Sequence, residues 1–128
     1  MSTDPHKNHF MVEIAGDVTA VFLSDARILD ETTVKVIAEE LMRLVDNSYK
    51  IKLLIDFSSV EYLSSAVLGK LIAIHKKVAE GKGQMKLAAI KPAIKEVFKI
   101  TKLDKVFDIH DTHRAAMESF KTKKFGIF

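Results

Sequence analysis

One stretch of the chain, Lys50 to Leu71, constrains the fold more than any other, because an apolar strand there runs into a helix start. Residues 51–57 are apolar on both sides of the predicted strand, which is typical of a strand covered on both faces, as in a parallel sheet. A helix is predicted to begin near Ser64, since apolar residues then recur at the spacing of one helical face. Ser64 and Ser65 therefore lie beyond the carboxyl end of a strand, where α/β folds usually bind ligands and phosphate.

The remaining pattern predicts strands and helices in the order β-β-α-β-α-β-α-β-α, an α/β fold. The predicted strands cover 10–14, 18–23, 51–57, 84–90 and 106–109, and the predicted helices start near Asp30, Ser64, Pro92 and Asp111. Gly16 and Asp17 form a hairpin turn between the first two strands. Asp30 and Asp111 are predicted N-caps. Strands that alternate with helices imply parallel crossovers, so we expect a mixed sheet with helices packed on it.

The chain has 128 residues, a net charge of +3 and no cysteine, so thiolate metal sites and disulfides are excluded. This length predicts one domain spanning 1–128, whose ends, residues 1–8 and 121–128, are expected to fray. No apolar run reaches the length of a membrane span, and the first residues lack the apolar core of a signal peptide. These features favour the cytoplasm. The many lysines of the second half lack a groove-reading helix or stacking aromatic residues, so no nucleic-acid partner is expected.

Several short motifs, taken in order, resemble the STAS domain family, the anti-sigma-factor antagonist domains of bacteria. The resemblance rests on Asp56-Phe57, Val60, Ser64-Ser65 and Leu68-Gly69-x-Leu71, and on Leu29-Asp30, the turn and strand at 81–89 and the helix at 92–98. Two residues depart from the family pattern. Leu63 stands where the family has an acid, and Ala66 stands where it has a glycine.

The resemblance implies a non-enzymatic signalling domain with a STAS-like mixed sheet and no cofactor. In the family, the first serine of the pair is phosphorylated by an anti-sigma factor that is a serine kinase. Carried over, this serine is Ser64, with Ser65 as a weaker candidate. The resemblance further implies a bacterial regulator of transcription and a phosphatase partner. The surface that would dock on the kinase comprises Asp30, Asp56, Ser58, Ser59, Leu63, Ser65 and Gly69.

Alternatives to this interpretation follow from the same residues. A serine pair at a helix start also fits simple N-capping, in which the hydroxyl accepts a hydrogen bond from a free backbone amide. If Leu63 means that phosphorylation is lost, the domain is a scaffold or a ligand- or lipid-sensing module. Homodimers would then form through the hairpin edge or the apolar residues 125–128.

One cluster has the chemistry of a metal site. Asp108, His110, Asp111 and His113 lie within six positions, but the segment crosses a strand end into a helix cap, so the side chains are expected to diverge. No third ligand with a recognisable spacing lies elsewhere, and His75 is interpreted as a helix-edge histidine. The sequence therefore predicts no metal site.

Overall fold

The structure is a computed structural model and describes residues 8–121. Its first element is a β-hairpin with a two-residue turn at Gly16 and Asp17. Strand β1 (Phe10–Ala15) pairs antiparallel with β2 (Val18–Leu23), and Ala15 lies opposite Val18 beside the turn. Gly16 has a φ of 64°, a conformation that glycine adopts without steric penalty. The predicted hairpin is therefore confirmed.

Five further strands and four helices follow. The strands are β3 (Arg27–Ile28), β4 (Lys52–Asp56), β5 (Tyr62–Leu63), β6 (Gln84–Ala88) and β7 (Asp108–His110). The helices are α1 (Glu31–Asp46), α2 (Ser65–Glu80), α3 (Pro92–Ile100) and α4 (His113–Lys121), and a single 3₁₀ turn covers Leu103–Lys105. The predicted order is confirmed, and the two-residue strands β3 and β5 are additions to it.

The main sheet has the strand order β1-β2-β4-β6-β7, and every pair except β1 with β2 is parallel. Strand β4 lies at its centre. Leu53 and Ile55 belong to the larger core cluster, with the apolar faces of α1, α2 and α3, whereas Leu54 packs with Ala116 and Phe120 of α4. The apolar run of the central strand is thus explained by burial on both faces.

Two predicted strands end earlier than the sequence indicated. The central strand ends at Asp56, although Ile51 and Phe57 on either side of it are buried. Strand β6 ends at Ala88 rather than at residue 90, because Ala89 has a φ of 60° and leaves the extended conformation.

The last strand and the last helix cap also differ from the prediction. The 3₁₀ turn displaces the strand from 106–109 to Asp108–His110. Asp111 was predicted to cap α4, which was wrong, because the amide of Ala115 donates to Thr112 Oγ1 at 3.0 Å. Asp111 instead binds Lys95 at 2.6 Å, and this contact lowers the pKa of the Asp111 carboxyl.

Fraying was expected for residues 1–8 and 121–128, of which only Asn8 and Lys121 are among the described residues. The apolar residues 125–128 also lie outside the described residues. That expectation stays a prediction.

Candidate functional site

The two short strands place the starts of α1 and α2 beside each other. Ile28 of β3 lies opposite Leu63 of β5 in a parallel pair, and each strand runs within a few residues into its helix. The Ser64 amide extends this pairing by donating to the Ile28 carbonyl oxygen at 3.0 Å. Asp30 and Ser64, which are distant in sequence, are therefore the N-cap residues of neighbouring helices.

Ser64 occupies the N-cap position of α2 but does not cap it with its side chain. Its Oγ is buried and has no hydrogen-bond partner among the described residues. Only the backbone contributes to the cap, since the Val67 amide donates to the Ser64 carbonyl oxygen at 3.0 Å. The predicted capping by the Ser64 hydroxyl is thus wrong, whereas the predicted helix start is confirmed. Ser65 follows as the first helical residue and is exposed.

Asp30, by contrast, is a side-chain cap. Its carboxylate accepts hydrogen bonds from the Thr33 hydroxyl at 2.8 Å and from the Thr33 amide at 3.1 Å. Both bonds lower the pKa of the Asp30 carboxyl, and the bond from the Thr33 hydroxyl has the larger effect. The start of α1 therefore presents a negative charge two residues after Ile28, whose carbonyl oxygen accepts the Ser64 amide.

A matched pair of substitutions tests this difference between the two caps. Asp30→Ala is expected to lower the melting temperature, because it leaves the amide of Thr33 without its acceptor. Ser64→Ala is expected to leave stability unchanged or to raise it by up to about 1 kcal/mol, because it removes a buried hydroxyl that has no partner. Thermal denaturation of both variants followed by circular dichroism measures this. An equal loss in both variants would contradict the cap assignment.

Asp56 does not lie on the exposed surface where the sequence placed it. The residue is only 3% exposed. One carboxylate oxygen accepts from the Ser58 amide at 2.8 Å, and the other lies 2.7 Å from His113 Nδ1 at the start of α4. Asp56 is therefore unavailable to a partner and instead fixes the loop that leads to Ser64.

Phe22 and Lys91, which belong to other parts of the fold, support this arrangement of the loop. The ring of His113 stacks on Phe22 of β2, with 4.8 Å between the ring centroids. The Lys91 ammonium, just before α3, donates to the Ser58 carbonyl oxygen. Sequence reasoning considered His113 only as a metal ligand and gave Lys91 no role, because neither partner lies nearby in the chain.

The remaining residues of the predicted docking surface are exposed to solvent to different degrees. Ser58, Ser59 and Gly69 are exposed, and Leu63 is half-buried against the core. Gly69 lies four residues after Ser65 on α2 and so shares its face. A Cβ at Gly69 would meet no atom within 4 Å.

Two apolar residues that sequence reasoning missed also belong to this surface. Leu29, just before Asp30, is 44% exposed, and Tyr62, two residues before Ser64, is 54% exposed. The Arg27 guanidinium lies 4.9 Å from the centre of the Tyr62 ring and holds it in place. Exposed aromatic residues are frequent anchors of protein interfaces. We call the set formed by Leu29, Asp30, Tyr62, Ser64 and Ser65 the helix-start surface.

The four side chains of the candidate metal cluster diverge only in part, because Asp108 and His110 lie 2.9 Å apart whereas Asp111 and His113 bind residues outside the cluster. Asp108 binds Lys86 and His110, whereas Asp111 binds Lys95 and His113 binds Asp56. Within residues 8–121, no group of three or more histidine or carboxylate side chains is arranged to hold a metal ion. No helix in this part of the chain is long and apolar enough to cross a membrane.

Comparisons with known proteins agree with this fold. A family model described as the STAS domain matches residues 9–116. A Bordetella bronchiseptica protein named "Putative anti-sigma factor antagonist BtrV" is 26% identical over 95 residues, which cover 74% of this chain and 81% of BtrV.

Solved structures give the same result. An anti-sigma factor antagonist from Mycobacterium paratuberculosis is 28% identical with a TM-score of 0.79, covering 94% of this chain and all of that one. A STAS domain protein from Planctomyces limnophilus is 26% identical with a TM-score of 0.77, covering 86% and 95% of the two chains.

Proposed function

This chain belongs to the STAS domain family, and we propose that within it the chain acts in the bacterial cytoplasm as an anti-sigma-factor antagonist. In this proposal, the helix-start surface binds an anti-sigma factor that is also a serine kinase, and phosphorylation of Ser64 ends that binding. A phosphatase would restore it. The chain itself performs no catalysis and needs no cofactor. The names of the relatives support the antagonist role, and the geometry around Ser64 supports the switch.

One observation carries the switch, namely that the Ser64 hydroxyl lies at a helix start without a hydrogen bond. Leaving a buried polar group unpaired costs about 1–3 kcal/mol. Rotation of the side chain into water would recover that cost, so a kinase meets little resistance when it exposes the hydroxyl. A serine whose role at this position is only to cap the helix would normally accept a hydrogen bond from a backbone amide of the first turn, which Ser64 does not do.

The surroundings of Ser64 explain why phosphorylation would change binding rather than folding. A phosphate adds about −1.5 to −2 charges, and the amides and dipole of a helix N-terminus accommodate that charge. A partner that packs against Leu29 and Tyr62 would instead meet a bulky anion beside the carboxylate of Asp30. Leu63 supplies no further carboxylate, so a kinase would have to recognise the site through the other residues of the helix-start surface.

The burial of Ser64 Oγ together with Leu63 also supports a second candidate, a scaffold that binds its partner without phosphorylation. The lipid-sensing variant of this alternative has less support. The apolar cavity beneath α1 and α2, lined by Val34, Leu41 and Leu71 among others, measures about 20 Å³. This volume holds about one water molecule, whereas ligand pockets measure about 300–1,000 Å³.

The two tyrosines of the chain provide a matched test of the antagonist role. Affinity capture from cells that encode the protein would use wild-type, Tyr62→Ala and Tyr49→Ala chains as baits, with quantitative mass spectrometry. We expect an anti-sigma factor with a kinase domain on the wild-type bait and at least about tenfold less of it on Tyr62→Ala, since a buried aromatic anchor contributes more than 1 kcal/mol. Tyr49 is also exposed but lies beyond the other end of α1, so Tyr49→Ala should retain the partner. If no bait retains an anti-sigma factor, the proposed function is wrong.

A further inference from the structure

Strand β1 forms an exposed edge of the main sheet that lacks the usual protection. Among residues 8–121 it pairs only with β2, and Met11 and Ile14 are each 66% exposed. Natural edge strands are usually shielded by lysine, proline or a bulge, but β1 carries a single charge, that of Glu13. We propose that β1 pairs antiparallel with β1 of a second copy of this chain, across a two-fold axis at Val12. This inference is independent of the proposed function, since β1 contributes no residue to the helix-start surface.

The hairpin register shows which backbone groups of β1 face outward. The Ser24 amide donates to the His9 carbonyl oxygen at 2.9 Å, and this pair belongs to the same register as Ala15 and Val18. Backbone groups in an antiparallel pair alternate between the two sides of the strand. The odd-numbered residues therefore bond to β2, while Phe10, Val12 and Ile14 direct their amides and carbonyls away from the sheet.

The side chains of β1 favour one register for this pairing. A two-fold axis perpendicular to the sheet keeps the helices of both copies on one side, so residues opposite each other must share a face. With the axis at Val12, this residue meets its own copy, Phe10 meets Ile14, and Met11 meets Glu13. With the axis at Glu13, two carboxylates would lie opposite each other, which destabilises a strand pair. The axis at Val12 also uses all three outward-facing residues.

A groove beside Phe10 fits the same arrangement. It measures about 370 Å³ and lies between Phe10 and the α1 residues Glu40, Arg43, Leu44 and Asn47. In the proposed register, Ile14 of the second copy lies opposite Phe10 and therefore next to this groove. The rim holds one acid and one base, Glu40 and Arg43, so two copies brought together by the axis carry no net charge there. A second copy of the chain thus suits both the edge and the groove.

The absence of cysteine makes the register directly testable. Val12→Cys, Met11→Cys and Glu13→Cys would be oxidised separately, in the full chain, and covalent dimers followed by non-reducing electrophoresis. Residues that exchange hydrogen bonds across antiparallel strands have Cα atoms about 5.5 Å apart, which is within the range of disulfides. We expect Val12→Cys to cross-link at least about tenfold faster than the other two variants, because only Val12 faces its own copy. Equal rates, or faster cross-linking of Glu13→Cys, would overturn the proposed axis.

The oligomeric state tests the interface itself. Sedimentation of the full wild-type chain should show a dimer, and Ile14→Lys should raise its dissociation constant at least about tenfold by placing a charge in the paired face. Ile100→Lys is the matched control, because Ile100 is 73% exposed but lies on α3. A wild-type chain that stays monomeric, or a dimer that Ile14→Lys leaves intact, would overturn the proposal. A dimer that forms only after residues 122–128 are deleted would assign the edge to the chain's own end and overturn it too.

Discussion

Ser64→Asp is expected to weaken binding of the anti-sigma factor at least about 100-fold, which corresponds to about 2.7 kcal/mol. The substitution places a fixed negative charge where the neutral hydroxyl lies. A partner that fits the neutral surface would bury this charge without a counter-ion, and like charges placed against each other at an interface cost several kcal/mol. Asp30 increases the effect, because its carboxylate adds a second negative charge at the start of the neighbouring helix α1.

Isothermal titration calorimetry against the captured anti-sigma factor measures this loss of affinity. Ser64→Ala is the matched control, since it removes the hydroxyl without adding charge, and it should bind within about threefold of wild type. The fold should survive both substitutions, because an acid at a helix N-terminus is favourable. Equal affinity of wild type and Ser64→Asp would remove the switch from the account and favour the scaffold function.

Asp56→Ala is expected to destabilise the domain by about 3 kcal/mol, the largest loss of stability that we predict. Its buried carboxylate joins the Ser58 amide to the ring of His113, which lies 57 residues further along the chain. Removal leaves a loop amide and a histidine ring without their acceptor. Since the loop continues into β5 and Ser64, the helix-start surface should also lose order.

Urea denaturation measures the free energy of unfolding for this variant and for a double-mutant cycle with His113→Ala. Asp111→Ala is the matched control, because the Asp111 carboxylate also binds a side chain but is exposed, and exposed ion pairs contribute little. We expect an unchanged midpoint for the control and a clear coupling energy between Asp56 and His113. A loss in Asp56→Ala no larger than in the control would contradict the bridging role.

Much of the fold was predictable because its signals are local. The doubly buried strand β4, the hairpin at Gly16 and the cap at Asp30 each depend on residues within a few positions of one another. The paired strands β3 and β5 were not predictable in this way, because two residues are too few to show a period. Their pairing depends on contacts between segments that the sequence separates.

The features of the candidate site were likewise predictable only where they depend on residues that are close in sequence. The position of Ser64 at a helix start followed from the apolar spacing of α2, and the family resemblance added its proposed role. The direction of its hydroxyl did not follow, because packing against neighbouring elements selects the side-chain rotamer. The partnership of Asp56 with His113 was not predictable either, since no spacing rule connects the end of a strand to a helix that starts three strands later in the chain.

The most direct test of the central claim is phosphosite mapping, combined with intact-mass spectrometry, on protein purified from cells under several growth conditions. The account predicts a single phosphate on Ser64 whose occupancy changes with conditions, and none on a Ser64→Ala chain, while Ser65→Ala is modified as in wild type. An unmodified Ser64 under every condition, or a phosphate that maps to Ser65 instead, would contradict it.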